Sequence, residues 1–259
     1  MWIMSGTKKH KYISALCVFL CLLPFFTGAV YGETLRLLTY NVHNGVGMDR
    51  KRDHKRIADV INSQKPDFVA IQEVDSATVR SGGSFVLGEI ADLTSMYPVF
   101  APAINYDGGL YGIGLLTRAK PDRITRIGLP GREESRALLI ADFGDYAVAC
   151  THLSLTPEDA LASIDVILSE VALRFPKPFI LMGDFNSLPK SVVIDSLKRD
   201  FQIVSDPGIL TFPADSADRC LDYIMVSSPD TVEVKSNAVI DERVASDHRP
   251  VMADIVVTR

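Results

Sequence analysis

Short apolar runs recur along the chain, and several of them end in polar side chains that bind cations or transfer protons. The clearest case is Phe179-Ile180-Leu181-Met182, which is followed directly by Gly183-Asp184-Phe185-Asn186. A short apolar run with such a boundary is typical of a buried strand. It predicts a carboxylate and a carboxamide just past a strand end. Phe185 is expected to pack inward, which leaves Asp184 and Asn186 on the other side.

Strand and helix signals alternate throughout the chain. Apolar residues at helical spacing predict helices over residues 53–63, from Thr156 onward and over residues 191–198. Thr156 is expected to cap the second helix, with Pro157 in its first turn and Asp159 completing a capping box. Strands are predicted at residues 35–40, 68–71, 113–116, 137–141, 147–150, 179–182, 223–226 and 251–257. This excess of strands favours two packed sheets flanked by helices.

The first 32 residues are predicted to be a secretory signal peptide, and residues 33–259 a single domain. Three lysines near the start precede an apolar stretch over residues 13–26, and Val30-Tyr31-Gly32 suits a cleavage site. The alternative is an uncleaved membrane anchor, although the stretch is shorter than the ~20 residues that a spanning helix needs. We therefore expect a secreted or periplasmic protein without stable membrane insertion after cleavage.

Composition weakly disfavours a protein that grips nucleic acid mainly through phosphate charge. Removing the predicted signal takes three lysines from the 27 basic residues and none of the 32 acidic ones, so the net charge changes from −5 to −8. A local basic groove can still coexist with a negative total. Cys150 and Cys220 remain, and export would permit a disulfide between them. Both also lie in apolar sequence where reduced thiols pack well, so either state is possible.

Two early strand ends offer oxygen ligands. Asn41 follows the first apolar run and Glu73 closes the second. Taken singly, each has an ordinary explanation as a turn residue or a solvent-facing acid. Together they form the oxygen pair that a hard cation such as Mg²⁺ needs.

Later positions supply groups that titrate. Ser246-Asp247-His248 places a carboxylate beside an imidazole, and His152 follows another apolar run. Asp222 stands at the start of a buried strand, where an unpaired carboxylate is costly. His248 is its natural partner, because such an acid fixes the imidazole tautomer and raises its pKa.

These motifs, taken in chain order, resemble the endonuclease/exonuclease/phosphatase superfamily, which includes pancreatic-type deoxyribonuclease, abasic-site endonucleases, inositol polyphosphate 5-phosphatases and bacterial sphingomyelinases. The resemblance spans essentially all of residues 33–259. Its motifs are Asn41, Gln72-Glu73, Tyr111-Gly112, Thr151-His152-Leu153, Gly183-Asp184-Phe185-Asn186, Leu221-Asp222-Tyr223-Ile224 and Ser246-Asp247-His248-Arg249-Pro250. Thr39 to Gly45 and Thr211-Phe212-Pro213-Ala214 look most like small bacterial members.

The resemblance implies a four-layer α/β sandwich of the deoxyribonuclease I type, with two packed mixed sheets and helices outside. It also implies a metal site. Asn41 and Glu73 would hold Mg²⁺ or Mn²⁺, with Asp247 on the same face.

The resemblance further implies how water and phosphate are handled. Asp184 would orient or deprotonate the attacking water, and Asn186 would position that water and the phosphate. His152 and His248 would grip phosphoryl oxygens, with Asp222 bracing His248. Whether Asp184 or His248 is the general base is left open.

Two more residues are assigned to the phosphate. Tyr111 matches a family tyrosine near it, and Arg136 is a candidate clamp because guanidinium forks suit phosphate oxygens. A surface arginine is an equal alternative for Arg136. Substrate choice is expected in the loops at residues 75–88, 105–111 and 206–220.

The sequence therefore predicts a monomeric, metal-dependent phosphodiesterase or phosphatase acting on a small or lipid-derived phosphoester. An extracellular nuclease acting on DNA or RNA is the leading alternative. A catalytically inactive binding module on the same fold is the second, and the intact acidic and histidine positions argue against it.

Overall fold

The structure is a computed structural model that describes residues 1–2, 32–227 and 232–258. The predicted signal peptide falls almost wholly outside these residues. The strands are β1 (Gly32–Asn41), β2 (Phe68–Ser76), β3 (Tyr97–Tyr106), β4 (Gly109–Thr117), β5 (Arg123–Leu129), β6 (Arg136–Phe143), β7 (Tyr146–His152), β8 (Phe179–Asp184), β9 (Phe201–Ile203), β10 (Asp222–Ser227), β11 (Val232–Val239) and β12 (Val251–Thr258). The helices are α1 (His54–Gln64), α2 (Val86–Thr94), α3 (Pro157–Arg174) and α4 (Val192–Leu197), with a single 3₁₀ turn at His43–Gly45.

The strands form two six-stranded mixed sheets within the described residues. The first sheet has the order β11-β12-β1-β2-β4-β3, and the second has the order β5-β6-β7-β8-β10-β9. In each sheet the central pair is parallel, β1 with β2 and β7 with β8, while the flanking pairs are antiparallel. Parallel neighbours require a crossover, and α1 and α3 supply it.

Three apolar clusters separate four layers. The largest lies between the sheets, where Leu37 of β1 and Ile180 of β8 are fully buried. A second packs α1 and α2 against the outer face of the first sheet, and a third packs α3 and α4 against the outer face of the second. The four-layer α/β sandwich is thus confirmed. Because most central strands are covered on both faces, they read as continuous apolar runs.

Local capping agrees with the sequence at α1 but not at α3. The Asp53 carboxylate accepts a hydrogen bond from the backbone N–H of Arg56 at 2.9 Å, so α1 begins within one residue of the prediction. The capping box predicted at Thr156 is wrong. Thr156 makes no side-chain cap, and Asp159 accepts instead from Arg132 at 2.8–3.0 Å. The Asp159 carboxylate therefore binds a residue of the loop before β6 and does not complete a cap of α3.

The two cysteines of the described domain are free thiols. Cys150 lies in the layer between the sheets, and Cys220 lies on the outer side of the second sheet. Burial raises the pKa of both thiols to about 12, so they pack as small apolar groups. No helix in the described part of the chain is both long and apolar enough to cross a membrane.

Candidate active site

The candidate site lies where the carboxyl ends of the two central parallel pairs meet. Asn41 at the end of β1 is in register with Gln72 of β2, and His152 at the end of β7 is in register with Asp184 of β8. The Asn41 amide nitrogen donates to Asp184 Oδ2 at 3.1 Å, which joins the two sheets at this point. Strand ends from both sheets therefore place their polar residues in one cleft.

A β-bulge turns Glu73 toward that cleft. Pairing of β2 with β4 passes from Ile71 opposite Gly114 to Val74 opposite Gly112, so Gln72 and Glu73 face a single partner residue. Glu73 has a φ of +60°, a left-handed conformation that costs a side-chain-bearing residue about 1–3 kcal/mol. The bulge re-aims the carboxylate, which accepts from the Asn41 amide at 3.0 Å.

Asp184 is the centre of the site and is 1% exposed. Its Oδ2 lies 3.6 Å from Nε2 of His152 and 3.6 Å from Nε2 of His248. Its Oδ1 accepts from the backbone N–H of Asn186 at 2.8 Å. Burial raises the pKa of Asp184, an effect that the two histidines oppose. Phe185 packs into the core as predicted, so its two polar neighbours lie on the cleft side.

His248 is held from its other side by Asp222. The two are 2.9 Å apart, Nδ1 to Oδ2, and Asp222 is also 1% exposed. This pairing confirms the partner that the cost of burying Asp222 predicted. The loop that carries His248 is tied to β1 by Ser246, whose hydroxyl donates to the Asn41 carbonyl at 2.7 Å.

The two histidines of the site have opposite electrostatics. Burial lowers the pKa of His152 to about 4, although Asp184 opposes the shift. Burial also acts to lower the pKa of His248, but Asp222 and Asp184 outweigh it and raise the value to about 10. Near neutral pH, His152 is therefore neutral and His248 carries a proton.

Arg136 is a buried arginine held by two acids. Its guanidinium lies 3.3 Å from Glu133 and 2.8 Å from Glu134, and its Nε has no hydrogen-bond partner in the described residues. Glu133 also accepts from Ser154 and from the backbone N–H of Leu155, and its pKa is lowered to about 2 by these bonds against the effect of burial. Arg136 is thus built into the site and is not a surface arginine.

Tyr111 and Asn186 complete the predicted set. Burial, followed by the nearby charge of Glu73, raises the pKa of Tyr111, so its hydroxyl stays protonated as a donor. The Asn186 amide nitrogen donates to the Leu153 carbonyl at 2.9 Å, which fixes the plane of the side chain. Asn186 also has a positive φ, +47°.

These residues surround a cavity of about 300 Å³. Its walls include nearly all of the predicted site residues together with several that the sequence did not single out. The lining residues are Glu73, Tyr111, Glu134, Arg136, His152, Leu155, Asp184, Asn186, Phe212, Arg219, Leu221, Asp247 and His248. Asn41 and Asp222 stand directly behind this wall through their bonds to Asp184 and His248.

The site's donor set fits a divalent cation. Within residues 32–227 and 232–258, Glu73 forms no ion pair with a basic side chain, although it lines the cavity with Asp247. A half-turn of the Asn41 amide would bring its oxygen, which now accepts from the His43 backbone N–H, to face Glu73 and Asp184. Carboxylate and amide oxygens are the ligands that Mg²⁺ prefers. The roles of Asn41, Glu73 and Asp247 as ligands stay predictions.

A second group could also hold a metal ion. Ligand atoms of Asp184, Asp222 and His248 all lie within 4.8 Å of one another, and Asp222 Oδ1 is buried without a hydrogen-bond partner. Both nitrogens of His248 already face carboxylates, however. A proton on His248 can therefore offset the charge of Asp184 and Asp222 in place of a metal ion.

Sequence reasoning missed the residues that hold others in place. Glu133 was not predicted as a site residue. Its position three residues before Arg136, the candidate phosphate-binding arginine, could have indicated an ion pair between them. Phe212 was named only as part of a motif similar to small bacterial members, and Arg219 only as part of a loop. Their contact with the site depends on the pairing of β10 with β8, which local sequence does not encode.

Comparison with known proteins agrees with this geometry. The profile of the endonuclease/exonuclease/phosphatase family matches residues 38–248. None of the curated protein sequences compared with the chain matches it.

Many solved structures share the fold. A Beutenbergia cavernae protein described as an endonuclease/exonuclease/phosphatase is 23% identical, with a TM-score of 0.72 over 86% of this chain and 72% of that one. The mannosyl-6-phosphatase Bt3783 of Bacteroides thetaiotaomicron is 17% identical, with a TM-score of 0.66 over 85% and 99%. The catalytic domain of human nocturnin, solved with bound sulfate, is 17% identical, with a TM-score of 0.65 over 88% and 98%. At identities of 17–23%, these similarities establish that the chain shares the fold of these proteins.

Proposed function

The chain belongs to the endonuclease/exonuclease/phosphatase family, whose members hydrolyse phosphoester bonds, and we propose that it is a secreted, divalent-metal-dependent phosphoesterase acting on a small or lipid-derived substrate. The observation that supports this most strongly is the position of Asp184. It lies between His152, His248 and Asn41 at the junction of the two sheets, beside a cavity of about 300 Å³.

Hydrolysis of a phosphodiester has three requirements. A phosphodiester repels hydroxide because both are anionic, so the nonbridging oxygens must be neutralised, a water must be aligned with phosphorus, and the departing oxygen must be stabilised. Arg136, His152 and His248 provide donors to the phosphoryl oxygens.

Asp184 accepts the proton of the attacking water in this proposal. Its carboxylate is buried, its orientation is fixed by the Asn186 backbone N–H, and no arginine or lysine neutralises it in the described residues. His248 is already protonated through Asp222, so it serves as a donor to phosphate or to the departing oxygen. The two groups therefore have different roles in this proposal.

Glu73, Asp247 and Asn41 would hold the cation. When bound, a divalent cation supplies positive charge to a phosphoryl oxygen and lowers the barrier to attack on phosphorus.

Two features favour a small substrate. The cavity is compact, and the net charge, −5 for residues 1–259 and −8 without the predicted signal peptide, gives little long-range attraction for a polyanion. The mannosyl-6-phosphatase of the same fold acts on a sugar phosphate by its name, which fits this reading.

Hydrolysis of a chromogenic bis-phosphodiester with Mg²⁺, compared with EDTA, tests the proposal. Wild type should be active only with the metal, and Glu73→Ala should lose that activity. Glu233→Ala is the matched control, because Glu233 is an exposed acid on edge strand β11. Equal inertness of wild type and Glu73→Ala would favour the binding-module alternative. Cutting of plasmid DNA with steep salt dependence would favour the nuclease.

Export is part of the proposal and rests on the cationic and apolar character of the first 32 residues. Mass spectrometry of protein recovered from outside the cytoplasm should show a chain that begins near Glu33. Recovery of the uncleaved chain in the membrane fraction would indicate the anchor alternative.

A further inference from the structure

A stack of three side chains extends the site beyond the phosphate-binding groups. The ring centroids of His248 and Phe212 are 4.6 Å apart, and the guanidinium of Arg219 lies 4.7 Å from the centroid of Phe212. Phe212 and Arg219 are paired by two backbone hydrogen bonds of 3.0 Å each. The segment that precedes β10 therefore holds a cation one aromatic ring away from the imidazole.

Arg219 has unused hydrogen-bonding capacity. Its Nε donates to the exposed neighbour Asp218 at 2.9 Å, while Nη1 and Nη2 have no hydrogen-bond partner in the part of the chain that the structure describes. The side chain is 48% exposed and lines the cavity. Arg136 differs, because it is buried and two glutamates compensate its charge.

The two arginines reach the same cavity from different strands of the second sheet. Arg136 begins β6 and Arg219 precedes β10, and β7 and β8 lie between those strands. At about 4.8 Å per strand, the separation of their strands is about 14 Å. His152 and Asp184, at the centre of the proposed site, occupy the ends of the two intervening strands.

We propose that Arg219, supported by Phe212, binds a second phosphate group of the substrate, so that the natural substrate is a small molecule carrying two phosphates. This inference rests on the proposed function. A guanidinium fork matches phosphate oxygens in a bidentate manner, and stacking on an aromatic face limits its conformational freedom. Two free Nη groups at the wall of a cleft present that fork to a ligand.

Competition kinetics test this assignment. The reporter is Mg²⁺-dependent hydrolysis of bis(4-nitrophenyl) phosphate, and the competitors are a sugar monophosphate and the corresponding bisphosphate at constant free Mg²⁺. For wild type, the inhibition constant of the bisphosphate should be about tenfold below that of the monophosphate. In Arg219→Gln the two constants should become equal, because the second phosphate loses its bidentate partner.

Arg118→Gln is the matched control. Arg118 is also half-exposed and also lies beside an aspartate, 3.4 Å from Asp67. It follows β4 at the end where β2 begins, and Glu73 stands near the other end of β2. This variant should keep the tenfold preference for the bisphosphate.

The outcomes separate the two claims. Absence of reporter turnover in wild type means that the proposed function has failed. Normal turnover with equal constants for the two competitors, or with a preference that survives in Arg219→Gln, overturns the inference alone. Stronger, Arg219-dependent competition by a single-stranded oligonucleotide also overturns it, since the second phosphate would then belong to a polymer.

Discussion

The two sheets share one plan and supply different chemistry. Each has a central parallel pair joined by a helix, β1-α1-β2 in the first sheet and β7-α3-β8 in the second, with antiparallel strands on both sides. Equivalent strand ends carry Asn41 and Glu73 in the first sheet and His152 and Asp184 in the second. One backbone arrangement thus presents an amide and a carboxylate from one half, and an imidazole and a carboxylate from the other.

This difference shows that the fold places side chains and leaves the chemistry to their identity. In the proposed function, the oxygen ligands of the first sheet require a cation. The groups of the second sheet are proposed to bind or transfer protons with or without that cation. Substitutions in the two sheets should therefore fail in different ways, and four measurements can establish or break the distinction.

Asp184→Asn should have the largest effect, a loss of about 1,000-fold in kcat. The amide cannot accept a proton from water, and acid–base assistance contributes roughly 10²- to 10⁴-fold. The loss should persist at every Mg²⁺ concentration. Recovery of activity at high Mg²⁺ would place Asp184 with the ligands of the first sheet and end the distinction.

His248→Ala should lower kcat by about 100-fold, because a protonated donor to the phosphate or the departing oxygen is lost. Single-turnover kinetics on the chromogenic diester separate this chemical effect from substrate binding. His54→Ala is a suitable control, since His54 pairs with Glu89 between α1 and α2 and does not line the cavity. Near-normal turnover of His248→Ala contradicts the role assigned to His248.

Glu73→Gln should act through the metal. We expect a 10- to 100-fold rise in the Mg²⁺ concentration for half-maximal activity, with much of kcat restored at saturation, as is typical when groups at a metal site are weakened. A Mg²⁺ titration of activity measures this directly. A loss of kcat that no concentration of Mg²⁺ restores would show that Glu73 belongs to the proton-handling set.

Asp222→Asn should have the smallest effect on kcat, about tenfold at neutral pH, together with a shift in pH dependence. The Asp222 charge raises the pKa of His248 toward about 10, so its removal lowers that pKa and moves the alkaline limb of the activity profile to lower pH. An unmoved alkaline limb means that another group sets it.

The stability of the fold should also depend on the ion pair between Asp222 and His248, and this dependence should change with pH. Because the folded state raises the pKa of His248 from 6.5 to about 10, the pair stabilises the fold fully below pH 6.5. That contribution declines as the pH rises through this window. Chemical denaturation of wild type between pH 6.5 and 10 should show the decline, and Asp222→Asn should show less of it.

Whether a strand could be predicted from the sequence depended on its position in the sheet. All eight interior strands were predicted, whereas β3, β5, β9 and β11 were missed, and these are the edge strands of the two sheets. Interior strands are covered by neighbours and helices, so their apolar runs are continuous. Edge strands alternate exposed and partly buried residues, as β5 and β11 do, and resemble loops in sequence.

The missed helix and the wrong cap have different causes. α2 (Val86–Thr94) is short, contains Gly88 and has Phe85 at its N-cap without a side-chain cap, so no helix was predicted there. Its first three residues fell within the loop expected at residues 75–88. At α3 the local sequence has a capping-box pattern, but Arg132, from a loop that is distant in sequence, binds the Asp159 carboxylate instead. The position of the site residues was predictable because strand ends are local features. The Arg219 contact was not, since it depends on tertiary pairing.

The pairing of β1 with β12 joins residues 32–39 to residues 251–258, so the first sheet closes only when the two ends of the domain meet. His248 enters the cleft from the loop immediately before β12, and it is the last of the site residues to be synthesised. A ribosome-bound chain that has already made Asn41, Glu73, His152, Asp184 and Asp222 consequently still lacks His248. Because β12 pairs with β1 and the loop before it is hydrogen-bonded to Asn41, loss of the final strand would displace His248 and Asn41 together.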